Sequence, residues 1–227
     1  MKRTIPVIAV VIAAVIALVS FKPVELAPRL YPELEAYFKT VNVKEFNKEH
    51  VGTLENLKYD IYLSHLDKGN WNVIFYCSEN AFRSQASEVF AQTLCYAKKH
   101  KQIRVFSAGV SSGEISTKLI EYLSKIGYRI TKTEKEGKAI YEVRFSDKAD
   151  PIVLFSKTTT DISLPTKDVR SVIVCDIKAE AECAAIKTQS VPLNLAFKKV
   201  NETDDTEKIQ STLKNIAAEM LYVTGKQ

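Results

Sequence analysis

Cys77 and Arg83, six positions apart, are the pair of residues in this sequence whose types and spacing best fit a catalytic role. Ser84 follows directly, so the motif is C-x5-R-S. Backbone N–H groups of a loop that leads into a helix can converge on an anion. A guanidinium adds a fork of donors for two oxygens of a phosphate-like group. The same positive field stabilises a thiolate, so we predict Cys77 as a nucleophile and Arg83 as its catalytic partner.

The residues between the cysteine and the arginine are predicted to bind the oxyanion through their backbone. Ser84 can hydrogen-bond the sulfur and hold it in place. The predicted oxyanion-binding residues are Ser78, Glu79, Asn80, Ala81, Phe82 and Ser84.

Regular elements must position this loop. The run Trp71 to Tyr76 is rich in β-formers without a breaker, which predicts a strand buried on both faces. Ser84 to Lys99 has the composition of a helix. Ile103 to Phe106 is a second strand, and it ends at Ser107-Ala108-Gly109. The motif therefore lies on a strand–loop–helix turn.

The rest of the chain continues the alternation of strands and helices. Thr53 is predicted to cap a helix within a helical lead-in, and Ser116 to cap another over residues 117–126. Further strands are predicted at 128–130, 139–145, 152–155 and 169–174, and an amphipathic helix at 205–223. Such alternation predicts an α/β fold with a parallel sheet covered on both faces.

Residues 73–110 resemble the superfamily of low-molecular-weight protein tyrosine phosphatases and thioredoxin-coupled arsenate reductases. The resemblance is carried by Cys77, Asn80, Arg83, Ser84-Gln85, Glu88 and Ser107-Ala108-Gly109, and more weakly by Ile216 to Met220. It implies a flavodoxin-like three-layer sandwich with a four-stranded parallel sheet. It also implies a phosphate-like substrate and no organic cofactor or metal.

The sequence departs from the superfamily pattern at two places. Glu79 stands where glycine is usual, and its carboxylate would repel an oxyanion unless it points outward. Phe82 is tolerable if it faces the pocket rim. The superfamily's phosphatases use the Asp of a late Asp-Pro pair as general acid, whereas the Asp-Pro here is Asp150-Pro151. One alignment places Asp204 or Asp205 in that role. Another places Lys199 there and leaves no acid, and Asp205 can equally be a helix cap.

The sequence contains four cysteines and three histidines. Cys95, inside the helix after the loop, is interpreted as core packing. Cys175 and Cys183 resemble the redox relay of the arsenate reductases, in which a disulfide passes outward and thioredoxin reduces it. A static disulfide in an exported protein fits them equally well. His50, His65 and His100 lack the spacing of zinc ligands, so no metal site is expected.

Three functions follow from the loop and the resemblance. The first is a phosphomonoester hydrolase, acting on phosphotyrosine through a cysteinyl-phosphate. The second is an arsenate reductase that uses Cys77, Cys175 and Cys183 as a thiol relay. The third is a catalytically impaired oxyanion-binding module of the same fold.

The N-terminal residues show a separate sequence pattern. Lys2 and Arg3 precede an uncharged apolar run from Ile5 to Phe21, which predicts a signal peptide or signal anchor. We therefore expect export, with a periplasmic or membrane-anchored protein, and a domain plan of 1–22 (signal or anchor), 23–70 (helical extension) and 71–227 (α/β domain). The net charge of +5 is too weak to indicate a nucleic-acid partner.

Overall fold

The computed structural model describes residues 30–43, 50–64 and 70–225. The predicted signal or anchor segment, residues 1–22, lies outside the described residues, and so does His65. Among the residues described, no helix has the length and apolar character needed to cross a membrane.

The helices and strands follow one another along the chain with short connections. In order they are α1 (Pro32–Thr40), α2 (Val51–Leu63), β1 (Trp71–Cys77), α3 (Arg83–Ala97), β2 (Ile103–Gly109), α4 (Thr117–Lys125), β3 (Arg129–Lys135), β4 (Lys138–Arg144), β5 (Ile152–Leu154), β6 (Val169–Ile173), α5 (Ala181–Ala184), β7 (Leu193–Asn194) and α6 (Thr206–Val223).

A four-stranded parallel sheet forms the centre of the fold, as predicted. Its strand order is β2-β1-β6-β7, so β1 has a hydrogen-bonded neighbour on each side. The register places Cys77, the last residue of β1, opposite Gly109, the last residue of β2. The motif therefore begins at the carboxyl end of the central strands, where ligands bind in open α/β sheets. The short strand β7 was not predicted.

The strands β3, β4 and β5 form a second, antiparallel sheet. The sequence predicted strands in these three places without assigning them to a sheet, and the structure places them outside the parallel one. Strands β3 and β4 are joined by Glu136-Gly137, with φ of +53° and +73°. Positive φ at both central residues is typical of the tight turn of a hairpin, which joins only antiparallel neighbours.

The helices build the core against the parallel sheet. Helix α3 packs against β1, β2 and α6, while α2 packs against α6 and β7. From α1, Phe38 meets Phe90 of α3 edge-on, with ring centroids 6.1 Å apart. The helical extension before residue 71 therefore contributes to the same core. The three-layer arrangement with helices on both faces stays a prediction.

Helix α2 begins three residues earlier than predicted. His50, not Thr53, occupies its N-cap position, and Thr53 lies in the first turn. The ring of His50 is held by Glu219 of α6, with Nδ1 3.1 Å from Oε1. This long-range contact anchors the start of the helix, and it cannot be recognised from the local sequence.

Truncating the buried face of α6 tests this packing. Leu213 is completely buried, so we expect Leu213→Ala to lower the free energy of unfolding by about 2–5 kcal/mol. Urea denaturation of the full-length protein measures the change. The control is Gly52→Ala at an exposed position of α2, where an added Cβ has no neighbour within 4 Å. It should leave stability unchanged or raise it by about 0.5–1 kcal/mol. A loss below the lower bound for Leu213→Ala would contradict the packing.

Candidate active site

The loop between β1 and α3, residues 78–82, is named here the anion loop. Its peptide groups are oriented by donors outside it, because the carbonyls of residues 77–81 all accept hydrogen bonds. The donors, in order, are the N–H groups of Val110 (3.2 Å), Ser111 (2.9 Å) and Gly113 (2.9 Å), the Nε2 of Gln85 (3.0 Å) and the N–H of Ser116 (3.0 Å). A trans peptide holds its C=O and the next N–H antiparallel. The N–H groups of residues 78–82 therefore face away from these donors, into the loop.

These inward N–H groups are available for a ligand. Within the described part of the chain, no acceptor is paired with the backbone N–H of residues 79–83. Asn80 adopts φ of +50°, a left-handed conformation that asparagine tolerates better than most residues. The loop runs directly into the N-terminus of α3, whose first N–H groups add partial positive charge. The arrangement is a cradle for an anion.

Gly109 lets the anion loop approach strand β2. A Cβ built on Gly109 would lie 2.5 Å from the backbone N of Asn80 and 2.6 Å from the backbone O of Ser111. Both neighbours are backbone atoms, so a side chain here would have to displace the loop itself. The Ser-Ala-Gly ending of the strand thus has a steric reason for its glycine.

Cys77 is buried at the base of the cradle. Its Sγ lies 3.0 Å from Ser84 Oγ, so the predicted contact is present. Ser84 Oγ also accepts a hydrogen bond from Asn80 Nδ2 at 2.9 Å. Because that bond uses a lone pair of the hydroxyl, its hydrogen is free to point at the sulfur. A donor aimed at Sγ stabilises the thiolate.

A buried polar network continues from Asn80 away from the cysteine. Asn80 Nδ2 also donates to Ser107 Oγ at 2.9 Å, and Ser107 donates to Glu88 Oε2. Lys157 Nζ lies 3.9 Å from Glu88. Burial raises the pKa of Glu88, while Lys157 and Ser107 act in the opposite direction. The network fixes the orientation of Asn80 and Ser84. Sequence reasoning did not single out Lys157, because it belongs to none of the motifs that form the site.

Arg83 is buried, and the terminal nitrogens of its guanidinium already donate hydrogen bonds to protein acceptors. Nη1 donates to Glu180 Oε1 at 2.5 Å and to the carbonyl of Phe197 at 3.1 Å. Nη2 donates to Glu180 Oε2 at 2.7 Å and to Ser78 Oγ at 3.4 Å. Burial raises the pKa of Glu180, but the hydrogen bonds and charge of Arg83 outweigh it and hold that pKa below the ordinary value. Sequence reasoning missed Glu180.

The two unusual residues of the anion loop have different positions. Glu79 is exposed, which is the outward orientation that an oxyanion requires. Phe82 is buried in the hydrophobic core. The residue comes immediately before α3, and its ring contributes to core packing.

The two candidates for the general acid, Asp204 and Asp205, make their contacts in the turn before α6 and in its first turn. Asp205 is the N-cap of α6 and accepts a hydrogen bond from the N–H of Lys208 at 2.7 Å. Asp204 accepts from the N–H of Asn201 and pairs with Lys208 Nζ, and these contacts lower its pKa. Among the described residues, neither carboxylate contacts residues 77–84. A general-acid role for either one stays a prediction.

The four cysteines have separate environments. Cys175 and Cys183 form a disulfide, with Cα atoms 6.3 Å apart, while Cys77 and Cys95 are free. Cys95 is fully buried in α3, and burial raises its pKa to about 12, consistent with core packing. Cys183 Sγ lies 3.9 Å from Glu180 Oε2, so the disulfide adjoins the carboxylate that occupies Arg83.

Comparison with known proteins agrees with the site. Residues 72–173 match the sequence model of the low molecular weight phosphotyrosine protein phosphatases. This match confirms the resemblance of the motif region to the phosphatases. The matched segment runs from β1 to the end of β6 and so includes the anion loop, Arg83 and the network behind it. No curated protein matches the chain.

Solved structures show similarities of the same kind. A low molecular weight phosphotyrosine phosphatase from Vibrio cholerae O395 is 16% identical, with a TM-score of 0.46, over 67% of this chain and 94% of that one. A thioredoxin-dependent arsenate reductase from Corynebacterium glutamicum is 18% identical, with a TM-score of 0.41, over 83% of this chain and 78% of that one. At TM-scores below 0.5, neither similarity adds to the family match.

Replacing Gly109 tests whether the loop shape binds anions. We expect Gly109→Ala to weaken binding of inorganic phosphate by about tenfold or more, since each misplaced donor to a charged group costs about 1.5–3 kcal/mol. Isothermal titration calorimetry measures the affinity. Gly113→Ala is the matched control, because its Cβ would lie 3.4 Å from the Glu79 Cβ, at ordinary contact distance. Equal affinities in the two variants would contradict the cradle.

Proposed function

We propose that this chain is a thiolate-dependent phosphomonoester hydrolase that acts on aryl phosphates such as phosphotyrosine. The observation that carries the proposal is the convergence at one strand end of inward N–H groups, a buried arginine and a cysteine held by Ser84. The family match, to proteins described as phosphotyrosine phosphatases, supports a hydrolase.

The proposed reaction has two steps. The Cys77 thiolate attacks phosphorus, forming an S–P bond as the bond to the leaving oxygen breaks. The N–H groups of the anion loop and the guanidinium of Arg83 stabilise the charge on the phosphoryl oxygens. Water then hydrolyses the cysteinyl-phosphate, which releases phosphate and restores the thiolate, while Ser84 stabilises the sulfur as it departs.

The placement of the acid candidates predicts which esters react. Asp204 and Asp205 have contacts in the turn before α6, so protonation of the leaving oxygen has no assigned donor. A leaving group that departs as a stable anion does not need that proton. Phenolic esters are therefore the expected substrates, and alkyl esters are expected to react slowly.

Turnover of para-nitrophenyl phosphate tests this proposal. We expect hydrolysis that falls to background in Cys77→Ser and by about 10²–10³-fold in Arg83→Lys, which keeps the charge but loses the fork. Cys95→Ala is the matched control for loss of a thiol and should retain activity. Alkyl phosphates should react far more slowly. Phosphate binding without any turnover would favour the third candidate, an impaired oxyanion-binding module.

A second candidate function, arsenate reduction, is favoured by the cysteine pair. The disulfide between Cys175 and Cys183 adjoins Glu180, the carboxylate that pairs with Arg83, while Cys77 is free. In such a relay Cys77 adds to arsenate with loss of water, and Cys175 attacks Cys77 to release arsenite. Cys183 then attacks Cys175, which frees Cys77 and leaves the observed pairing. A dithiol protein such as thioredoxin would reduce that disulfide.

Single substitutions of the pair separate the two reactions. We expect Cys175→Ser and Cys183→Ser each to abolish multiple-turnover arsenate reduction while hydrolysis of para-nitrophenyl phosphate is retained. Arsenite formation, measured with a dithiol reductant in excess, is the readout. Unchanged arsenite formation in both variants would remove the reductase from consideration.

We also propose that the protein is exported, as a periplasmic or membrane-anchored protein, on the strength of residues 5–21. Membrane association would then occur through that N-terminal segment. Export would require the reductant of the Cys175–Cys183 disulfide to act outside the cytosol.

A further inference from the structure

The carboxylate of Glu180 occupies the donors that an oxyanion would need. Its two oxygens accept from the two terminal nitrogens of Arg83, at 2.5 and 2.7 Å. This fork-to-fork geometry is the one by which a guanidinium binds two oxygens of a phosphate. The side chains are only 5% and 14% exposed, so water competes poorly for the pair.

The hydrogen bonds of Arg83 leave no spare terminal donor. Each terminal nitrogen has two hydrogens, and each nitrogen makes two bonds, one to Glu180 and one to another acceptor. The other acceptors are the backbone of Phe197 and the hydroxyl of Ser78. Both belong to the walls of the site, and they hold the guanidinium in place. Glu180 is the acceptor whose departure would free a pair of parallel donors.

The chain around Glu180 is closed by the disulfide. Cys175 follows Val174, whose N–H donates to the carbonyl of Tyr76 in β1 at 2.8 Å, so this end of the segment is fixed to the sheet. Cys183, eight residues later, returns to Cys175 through the S–S bond. Both cysteines are completely buried.

Inside the closed segment, Glu180 and Asp176 hold each other. The N–H of Glu180 donates to the carbonyl of Asp176 at 2.8 Å, and the N–H of Asp176 donates to Glu180 Oε1 at 3.2 Å. A short covalent loop restricts the conformations available to residues 176–182.

We propose that Glu180 is an internal competitor for the oxyanion site, held on Arg83 by the Cys175–Cys183 disulfide and released when that disulfide is reduced. This inference rests on the proposed function, because it assigns regulation to the same site. In the oxidised protein an oxyanion must displace the carboxylate. In the reduced protein the segment gains conformational freedom, and Arg83 becomes available.

The redox step needs a dithiol reductant. Because both sulfurs are buried, the segment 175–183 must open locally before a thiolate of the reductant can attack one of them. The second thiol of the reductant then resolves the mixed disulfide. The two cysteines become thiols, and the reductant, having supplied two electrons and two protons, becomes a disulfide. Coupling between two equilibria is reciprocal. Bound phosphate must therefore favour the dithiol form of the pair.

Phosphate titration of the full-length protein tests the proposal. Isothermal titration calorimetry with inorganic phosphate compares the oxidised and the dithiol-reduced wild type. We expect reduction to tighten phosphate binding by about tenfold or more. A change of that size corresponds to the hydrogen bonds between charged groups that Glu180 and Arg83 would lose. Glu180→Gln should bind phosphate equally tightly in both redox states. The matched control is Glu182→Gln, which removes the same charge at an exposed position two residues away and should behave as the wild type.

A second measurement does not depend on calorimetry. The fraction of Cys175–Cys183 disulfide, titrated against a dithiol redox buffer, should shift toward the thiols when phosphate is added. That shift should be absent in Glu180→Gln.

The outcomes separate the inference from the function it rests on. If phosphate binds but Glu180→Gln matches the oxidised wild type, internal competition is overturned and the oxyanion site stands. If Glu180→Gln binds tightly but reduction leaves the wild type unchanged, control by the disulfide is overturned. If neither wild type nor Glu180→Gln binds phosphate in either redox state, the proposed function fails together with the inference.

Discussion

The outward hydrogen bonding of five consecutive carbonyls, those of residues 77–81, is the constraint on which the site depends. Because each carbonyl is tied to a donor outside the loop, the following N–H turns inward. Most of these donors belong to the segment after β2, so the cradle exists only where β1 and β2 run side by side. The short distance between the loop and Gly109 follows from the same arrangement.

The electrostatics of the site add to the effect of the loop backbone. The inward N–H groups and the first turn of α3 favour negative charge, and so does the buried guanidinium of Arg83. A buried cation without a partner is costly, and Glu180 provides the partner in this structure. The carboxylate thus stabilises the fold and at the same time occupies the ligand's donors. This dual role links the state of the disulfide segment to the state of the site.

Some residues lie where the sequence predicted them, and others do not. Cys77, Ser84 and Arg83 lie together as predicted, because a strand, a five-residue loop and a helix leave few ways to arrange them. Thr53 was wrongly predicted as an N-cap, since His50, which contacts the distant Glu219, occupies that position. Asp205 was predicted equally as an acid and as a cap, and its contact with Lys208 is that of a cap.

The sequence by itself determined the parallel sheet, the position of the anion loop at its edge and the chemistry of a thiol beside an arginine. These features depend on short-range patterns: apolar runs, the C-x5-R-S spacing and the glycine that ends β2. Only the tertiary structure decided that Glu180 pairs with Arg83, that Lys157 supports Glu88 and that β3 to β5 leave the main sheet. The two ion pairs depend on residues that packing brings together across tens of positions, and linear spacing carries no record of such contacts.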